Sequence, residues 1–481
     1  MYEQPGLFKS IRQAIYDSFP SRADALFSLL DSLSGRQKAQ SIVELSLETL
    51  FERQYSSVYD AIACFFTASD SNEASQERQE KALERVEILL PALPKPEKRP
   101  FWLTGIDATP ALRPYAKTLS DRGITHYPNP APGNKPIGVG HSYSVLALLP
   151  EREEHSPPWV VPLNCMRIPT QQTANKIAAA QMTGLLSDTD LPFGLELTVN
   201  TADSGYSKAY YLSPVYQFDN HVEVQRVAKN RVFFRIAPPP EPHPGHGGRT
   251  KRFGEAFDLK DESTWGESDE EAETDWETCT GRKLQVKLQR WNDLLMHGKQ
   301  DAPMCECPFD LIRCQVFDQQ GKAVFKNTLW LIVVGKRRHE VSTHAAYKAY
   351  RQRYDLEHLF RFGKNKLLLD RYQTPEVERE ENWWELVFLA YTQLWLASPL
   401  CAVLPKPWER NLPEWKEGRL PGPGQVQRDY ERIIRVVGTP VCEPKPRGNS
   451  PGRQKGTSPG KRLRHPVIFK SRAPPEVVAQ G

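Results

Sequence analysis

The sequence predicts a mixed α/β protein, with a helical N-terminal domain, a mixed-sheet core and a β-rich insertion. Three observations predict it. Residues 1–95 repeat apolar positions at spacings of three and four, the period of a helix with one buried face. From residue 101 the period changes, and short apolar strands are joined by turn-rich and helix-length segments. A third block, 229–335, holds β-type runs separated by turn residues and acids.

The elements follow in order. "SIRQAIYDSF", "ADALFSLLDSL", "SIVELSLETLF" and "ALERVEILLPAL" read as amphipathic helices, and "PALPKPEKRP" closes the unit near residue 95. "FWLTGID" reads as a strand ending in Asp107. "IGVGHSYSVLALL" and "WVVPLNCMRI" are two further strands, "TQQTANKIAAAQMTGLL" a helix, "LELTVNTAD" a strand ending in Asp203, and "HVEVQRVA" another strand. This stretch, 96–228, is the first part of the core. "APPPEPHPGHGG" is a turn-rich loop, and "GESDEEAETDWET" crowds seven acids into 266–278, which reads as a solvated excursion. "LQVKLQRW" is a strand; "LIRCQVF" and "AVFKNTLWLIVVG" form a hairpin around "DQQGK". Residues 229–335 are therefore expected as an insertion separate from the first sheet. The core resumes over 336–400, with a helix over 350–364 and a second, "EREENWWELVFLAYTQLWL", behind it.

Composition narrows the function. The chain has 481 residues, 39% hydrophobic and 25% charged, which is globular and too long for one ordinary domain. No run of apolar residues is long enough for a membrane span, and "MYEQPGLFKSIRQAIYDSF" is no signal peptide, so a cytoplasmic protein without a membrane partner is expected. Eight scattered cysteines are too few for a disulfide framework and fit a reducing compartment. The cluster of Cys305, Cys307 and Cys314, with His297 before it, lacks the paired C-x2-C knuckles of a strong zinc site. Within 401–481, residues 443–472 carry nine Lys and Arg against one acid, amid Pro, Gly and Ser. That reads as a disordered basic tail, which either holds nucleic acid through phosphate charge or only solubilises the chain.

One segment carries the sharpest signal. "YRQRYDLEHLFRFGK" has no proline and reads as helix. At about 100° per residue, Tyr350, Arg353, Glu357 and Lys364 fall within roughly 60° of one another, while Asp355 points about 140° away from Tyr350. Arg353 and Glu357 alone fit a solvated charge ladder. Asp107 and Asp203, each at a strand end, change the weighing. Three carboxylates from three elements can converge on hard divalent cations, two of which can activate a water and stabilise the leaving oxygen of a phosphodiester.

With these residues in place, the chain resembles the DDE-class insertion-sequence transposases over roughly 95–400. It resembles most closely the branch marked by Y-x2-R-x3-E-x6-K, which Tyr350, Arg353, Glu357 and Lys364 match without a gap. "GIDATP" and "NTADSGYS" resemble the two aspartate regions of that family, in the right order. The resemblance implies a ribonuclease-H-like core, with Asp107, Asp203 and Glu357 as catalytic metal ligands. It implies two Mg2+ ions, with Mn2+ able to substitute. Tyr350, Arg353 and Lys364 would lie along transposon-end DNA. Lys135 and His141, near Asp107, are either DNA contacts or turn and strand residues. Trp265, Trp276 and Trp291 are packing residues or, as in some members, the holder of a flipped base. The implied function is a DNA transposase that cuts at element ends and transfers strands into target DNA. It would work as a homodimer on double-stranded DNA, associated with the nucleoid. The alternatives are a metal-dependent nuclease without strand transfer and an inactive DNA-binding relic.

Overall fold

The computed structural model describes the chain outside residues 1–2, 67–70, 128–134, 154–155, 239–250, 279–280, 404–407, 409–410, 412–419, 446–453, 457–459 and 470–481. Most of the "APPPEPHPGHGG" loop, and Arg447, Arg453, Lys470 and Arg472 of the basic tail, lie outside the described residues. Four helices open the chain, α1 (Glu3–Asp17), α2 (Ala23–Ser34), α3 (Ser56–Ala63) and α4 (Ser71–Leu89). In α2 the residues Leu26, Leu29, Leu30 and Leu33 are fully buried, the helical spacing anticipated from sequence.

The sheet begins with β1 (Trp102–Leu112), β2 (Gly123–His126), β3 (Ile137–Leu148) and β4 (Val161–Arg167). Helices α5 (Ala174–Ser187) and α6 (Pro192–Leu195) lead to β5 (Thr198–Ala202), and α7 (Ala209–Val215) leads to β6 (His221–Arg226). Strand β3 runs antiparallel to both β1 and β4, whereas β5 is parallel to β1 and β6 parallel to β5. The spatial order β4-β3-β1-β5-β6 is compatible with a ribonuclease-H-like core.

The next strands are β7 (Val232–Ile236), β8 (Phe253–Asp258), β9 (Glu270–Glu277), β10 (Lys283–Leu294), β11 (Phe309–Asp318) and β12 (Leu329–Val334). Only β7 and β8 form a sheet of their own. The other four extend the first sheet in the order β6-β12-β11-β10-β9, which corrects the expectation of a separate insertion. The join is β12 against β6, antiparallel, from Leu331 opposite Arg226 to Val334 opposite Glu223. The acidic run is likewise not a loose excursion but the edge strand β9. Its acids face solvent while Ala272, Thr274 and Trp276 turn inward. A charged edge of this kind resists pairing with another chain.

The chain closes with α8 (Thr343–Gln352), α9 (Asp355–Lys366), α10 (Val377–Val403) and α11 (Pro423–Val437). Helix α10 is the spine. Trp384 on it stacks on Tyr143 of β3, centroids 3.9 Å apart. Through Gln393 it meets Arg12 of α1, which also binds Asp31 of α2 and Tyr430 of α11. The N-terminal helices thus share one apolar core with the sheet. Part of the tail is also structured, against expectation. Ile468 bridges to Gly123 at β2, and its N–H donates to Arg122 O at 2.8 Å. The His465 N–H donates to Lys117 O at 2.8 Å, so β2 lends its free edge to the returning chain. No helix among the described residues is long and apolar enough to cross a membrane.

Candidate active site

Strand pairing places the two aspartates. Trp102 to Gly105 of β1 pair in parallel with Thr198 to Thr201 of β5. Carried two places further, that register sets Asp107 beside Asp203, on neighbouring strands about 4.8 Å apart. Asp203 follows β5 directly, as read from sequence, but Asp107 does not end its strand. β1 continues to Leu112, because β3 pairs with it all the way to that residue. Each carboxylate is aimed by its own backbone. Asp107 Oδ1 accepts the Ala108 N–H at 2.8 Å, and Asp203 Oδ1 accepts the Gly205 N–H at 2.7 Å.

Residues 103, 105 and 107 share one face of β1, and α9 crosses that face. Gly105 allows the approach, since a Cβ there would stand 3.0 Å from Leu356 Cδ1. The crossing brings Glu357 to the aspartates. Arg353 Nη1 donates to Asp107 Oδ2 at 2.9 Å and Nη2 to Glu357 Oε1 at 3.3 Å. Asp355 goes elsewhere, as its position on the helix required. It is buried and paired with Arg152 through two contacts of 2.8 Å.

The expected single helix over 350–364 is two helices. Arg353 and Tyr354 stand between α8 and α9, with their N–H groups bonded three residues back to Tyr350 O and Arg351 O. This tight 3₁₀ turn preserves the helical sense, so the stripe survives. Lys364 closes it, donating to Thr109 Oγ1 at 2.8 Å and to Pro110 O at 3.1 Å. Burial pulls the Lys364 ammonium down from its ordinary range. Tyr350 lies 5.8 Å below the Arg353 guanidinium, and burial raises its phenol.

The carboxylates crowd one another. Burial pushes the Asp107 carboxyl up to about 6, opposed by Arg353 and reinforced by Asp203 and Glu357. A group short of positive charge in this way favours a cation beside it. The donor set, all carboxylate oxygen, fits Mg2+ or Mn2+, which take a few protein carboxylates and complete their shell with water and phosphate oxygens. Among the described residues, no three His, Cys, Asp or Glu side chains stand close enough to cage an ion unaided.

Other sequence candidates separate. His141 is 2% exposed and makes no surface for DNA; Nε2 lies 2.9 Å from Ser120 O and Nδ1 3.4 Å from Glu380 Oε1. It is a core histidine, and the DNA-contact reading is corrected. Lys135 is exposed, two residues before β3, with its carbonyl accepting the Ile137 N–H. Trp265 and Trp291 are buried in an aromatic cluster with Trp330 and Phe257. Trp276 is different. Arg351 lies 3.6 Å from its ring centroid, and it lines a cavity of about 470 Å³ together with Arg226, Phe325, Tyr347, Tyr350 and Arg353. Arg226 and Arg351, which line this cavity with Trp276, were not singled out from sequence. Arg226 ends β6, beside the end of β5, and that strand-end position was the available signal. The cysteine cluster also disperses, with Cys314 buried in β11 and His297 packed between Phe234 and Phe253.

A family model described as DDE superfamily endonuclease matches residues 14–288. The chain belongs to this family. The match spans the N-terminal helices and both aspartates and stops before Glu357. Membership makes the chain a DDE-class, transposase-like protein, an enzyme type that acts on phosphodiester bonds with DNA as substrate and divalent metal as the usual cofactor. No curated protein matches it. Glu357 lies outside the matched residues, and its candidacy rests on the sequence signature and on the contact with Arg353.

Proposed function

We propose that this DDE endonuclease is a transposase of the Y-x2-R-x3-E-x6-K branch, with Asp107, Asp203 and Glu357 as its metal-binding catalytic triad. It cuts DNA at element ends and joins the freed 3′-hydroxyl to target DNA, working as a homodimer that holds two ends. The reading is carried by one observation: Arg353 of the signature bonds both Asp107 and Glu357, and Asp203 lies next to Asp107 by register. When bound, two Mg2+ ions, or Mn2+, supply the charge that activates the attacking oxygen and stabilises the leaving one. Asp107 and Asp203 hold that position from a rigid sheet, with one oxygen of each tied to backbone. Glu357 completes it from α9. Tyr350, Arg353 and Lys364 run beside β1, where the DNA backbone would lie, and Lys135 sits at the exposed start of β3. Trp276 is the insertion tryptophan we place against DNA, because its cavity opens beside Tyr350 and Arg353.

The test is incubation with Mg2+ and two duplexes, one carrying the element's ends and one without them. Joined products from the first support the transposase reading. Cutting without joining leaves a nuclease, and binding without cutting leaves an inactive relic.

Two further results are expected. Lys364→Met keeps the aliphatic stem but removes a phosphate contact. It should weaken binding of end DNA by roughly 1.5–3 kcal/mol, about 10- to 150-fold in affinity. Wild-type affinity at an unchanged melting temperature would make Lys364 only a strap onto Thr109. Replacing Lys461, Arg462 and Arg464 with Gln keeps the strand along β2 and removes three charges. The slope of log affinity against log salt should fall by up to about 0.9 per lost contact, for every DNA sequence alike. An unchanged slope would show that the tail does not touch DNA.

A further inference from the structure

The Arg353 guanidinium stands where a site built for metal would be expected to hold a cation. One nitrogen bonds Asp107 and another bonds Glu357, at 2.9 and 3.3 Å. Asp203 acts on the same group through its charge. Arg353 is only 14% exposed, yet its Nε is buried without a hydrogen-bond partner. Its backbone belongs to the 3₁₀ turn between α8 and α9, where hydrogen bonds reach three residues back instead of four. A 3₁₀ stretch between helical turns often marks a functional hinge.

We infer that Arg353 is a tethered counter-ion, which holds Asp107 and Glu357 in the metal-free protein and is exchanged for the incoming divalent cation. The inference rests on the proposed metal site. It accounts for one guanidinium gathering both Asp107 and Glu357. With the guanidinium between them, Asp107 and Glu357 have only half of their charge offset and are kept apart by its width. Exchange replaces one positive charge with two and lets the carboxylates close. It also releases a planar, always-charged group at the rim of the site, where a phosphate can take two of its donors. Arg353 is then a positioning residue with two alternative anions, carboxylate before metal and phosphate after it. Because one side chain serves both, metal and DNA must favour each other's binding by the same factor.

Calorimetric titration of the full chain with Mn2+, in the absence of DNA, tests the exchange. Arg353→Gln should bind Mn2+ about 3- to 30-fold more tightly than wild type, the range of an ordinary coupling. Arg353→Lys, too short to bridge both carboxylates, should fall between the two. Repeating the titration with a short duplex present should raise the wild-type affinity for Mn2+ severalfold. In Arg353→Gln that gain should shrink toward none. Asp107→Asn is the control and should remove the binding. Equal or weaker Mn2+ binding by both Arg353 variants would overturn the exchange and leave the metal site standing. If wild type shows no Mn2+ binding that Asp107→Asn abolishes, the metal site itself is wrong, and the exchange falls with it.

Discussion

Asp107→Asn, Asp203→Asn and Glu357→Gln should each lower metal-dependent DNA cleavage by roughly a thousandfold or more, while DNA affinity stays within about threefold of wild type. Each amide keeps the shape of the acid and removes the charge that a divalent ion needs. In the proposed site DNA is held by other groups, along Tyr350, Arg353, Lys364 and the tail, so its binding should survive. The melting temperature separates this from a structural role. The Asp107 carboxyl is pushed up to about 6 by burial, so its charge is a burden on the folded state. An uncharged side chain there should leave stability within a few degrees of wild type, in line with the usual conflict between stability and function. A neutralised structural acid would behave differently. Asp310, buried against Arg290 and Arg338, would leave Arg290 without its carboxylate and Arg338 with Asp293 in place of two. Gel cleavage assays, filter binding and thermal melts on the three variants check this. Full cutting by any one of them would remove that residue from the triad.

Arg12→Ala should destabilise the whole chain by about 3–5 kcal/mol, the cost of leaving one partner of a buried ion pair alone. Arg12 is 1% exposed. It donates to Asp31 at 2.6 and 2.8 Å, to Gln393 Oε1 at 2.5 Å and to Tyr430 OH at 2.6 Å. Without it, Asp31 is a buried anion whose main counter-charge is gone. Arg12→Met with Asp31→Leu removes both charges and should recover part of the loss, because Phe8 and Phe27 flank the guanidinium at 5.4 and 4.8 Å and Tyr430 still bonds Gln393. Urea denaturation measures both. The unfolding should be one transition by fluorescence and circular dichroism alike, since α1, α2, α10 and α11 meet at this arginine and share a core with the sheet. A separate early transition of the N-terminal helices, with the sheet intact, would show them to be an independent domain.

Much of the candidate site's geometry was legible because it depends on local order. The offsets of Tyr350, Arg353, Glu357 and Lys364 set a stripe on a helical backbone, and the interposed 3₁₀ turn did not move it off the face. "LTVNTAD" showed a strand running into Asp203, and the position of Asp355 about 140° round the helix from Tyr350 ruled it out. Where strands ended and what they paired with was less legible. Asp107 looked terminal because "TP" follows it by one residue, yet β3 holds β1 straight past that point to Leu112. His141 looked available in a polar stretch, but its neighbour Glu380 comes from 239 residues away.

The same division runs through the whole fold. The sequence by itself determined most of the helices and strands, since apolar period, turn residues and caps act within a few positions, but "SIVELSLETLF", expected as a helix, forms only a 3₁₀ turn over Val43–Leu47, and the acidic run is a strand. It also determined the chemistry on offer, three carboxylates and a cationic stripe. Only the tertiary structure decided that the insertion extends the first sheet through β12 and β6, and that the tail returns to β2. It alone decided that Arg353 lies between Asp107 and Glu357. The physical reason is common to all three. A strand edge or a buried charge will accept any partner of suitable geometry, and the choice among distant candidates falls to whichever packing satisfies the most buried groups at once.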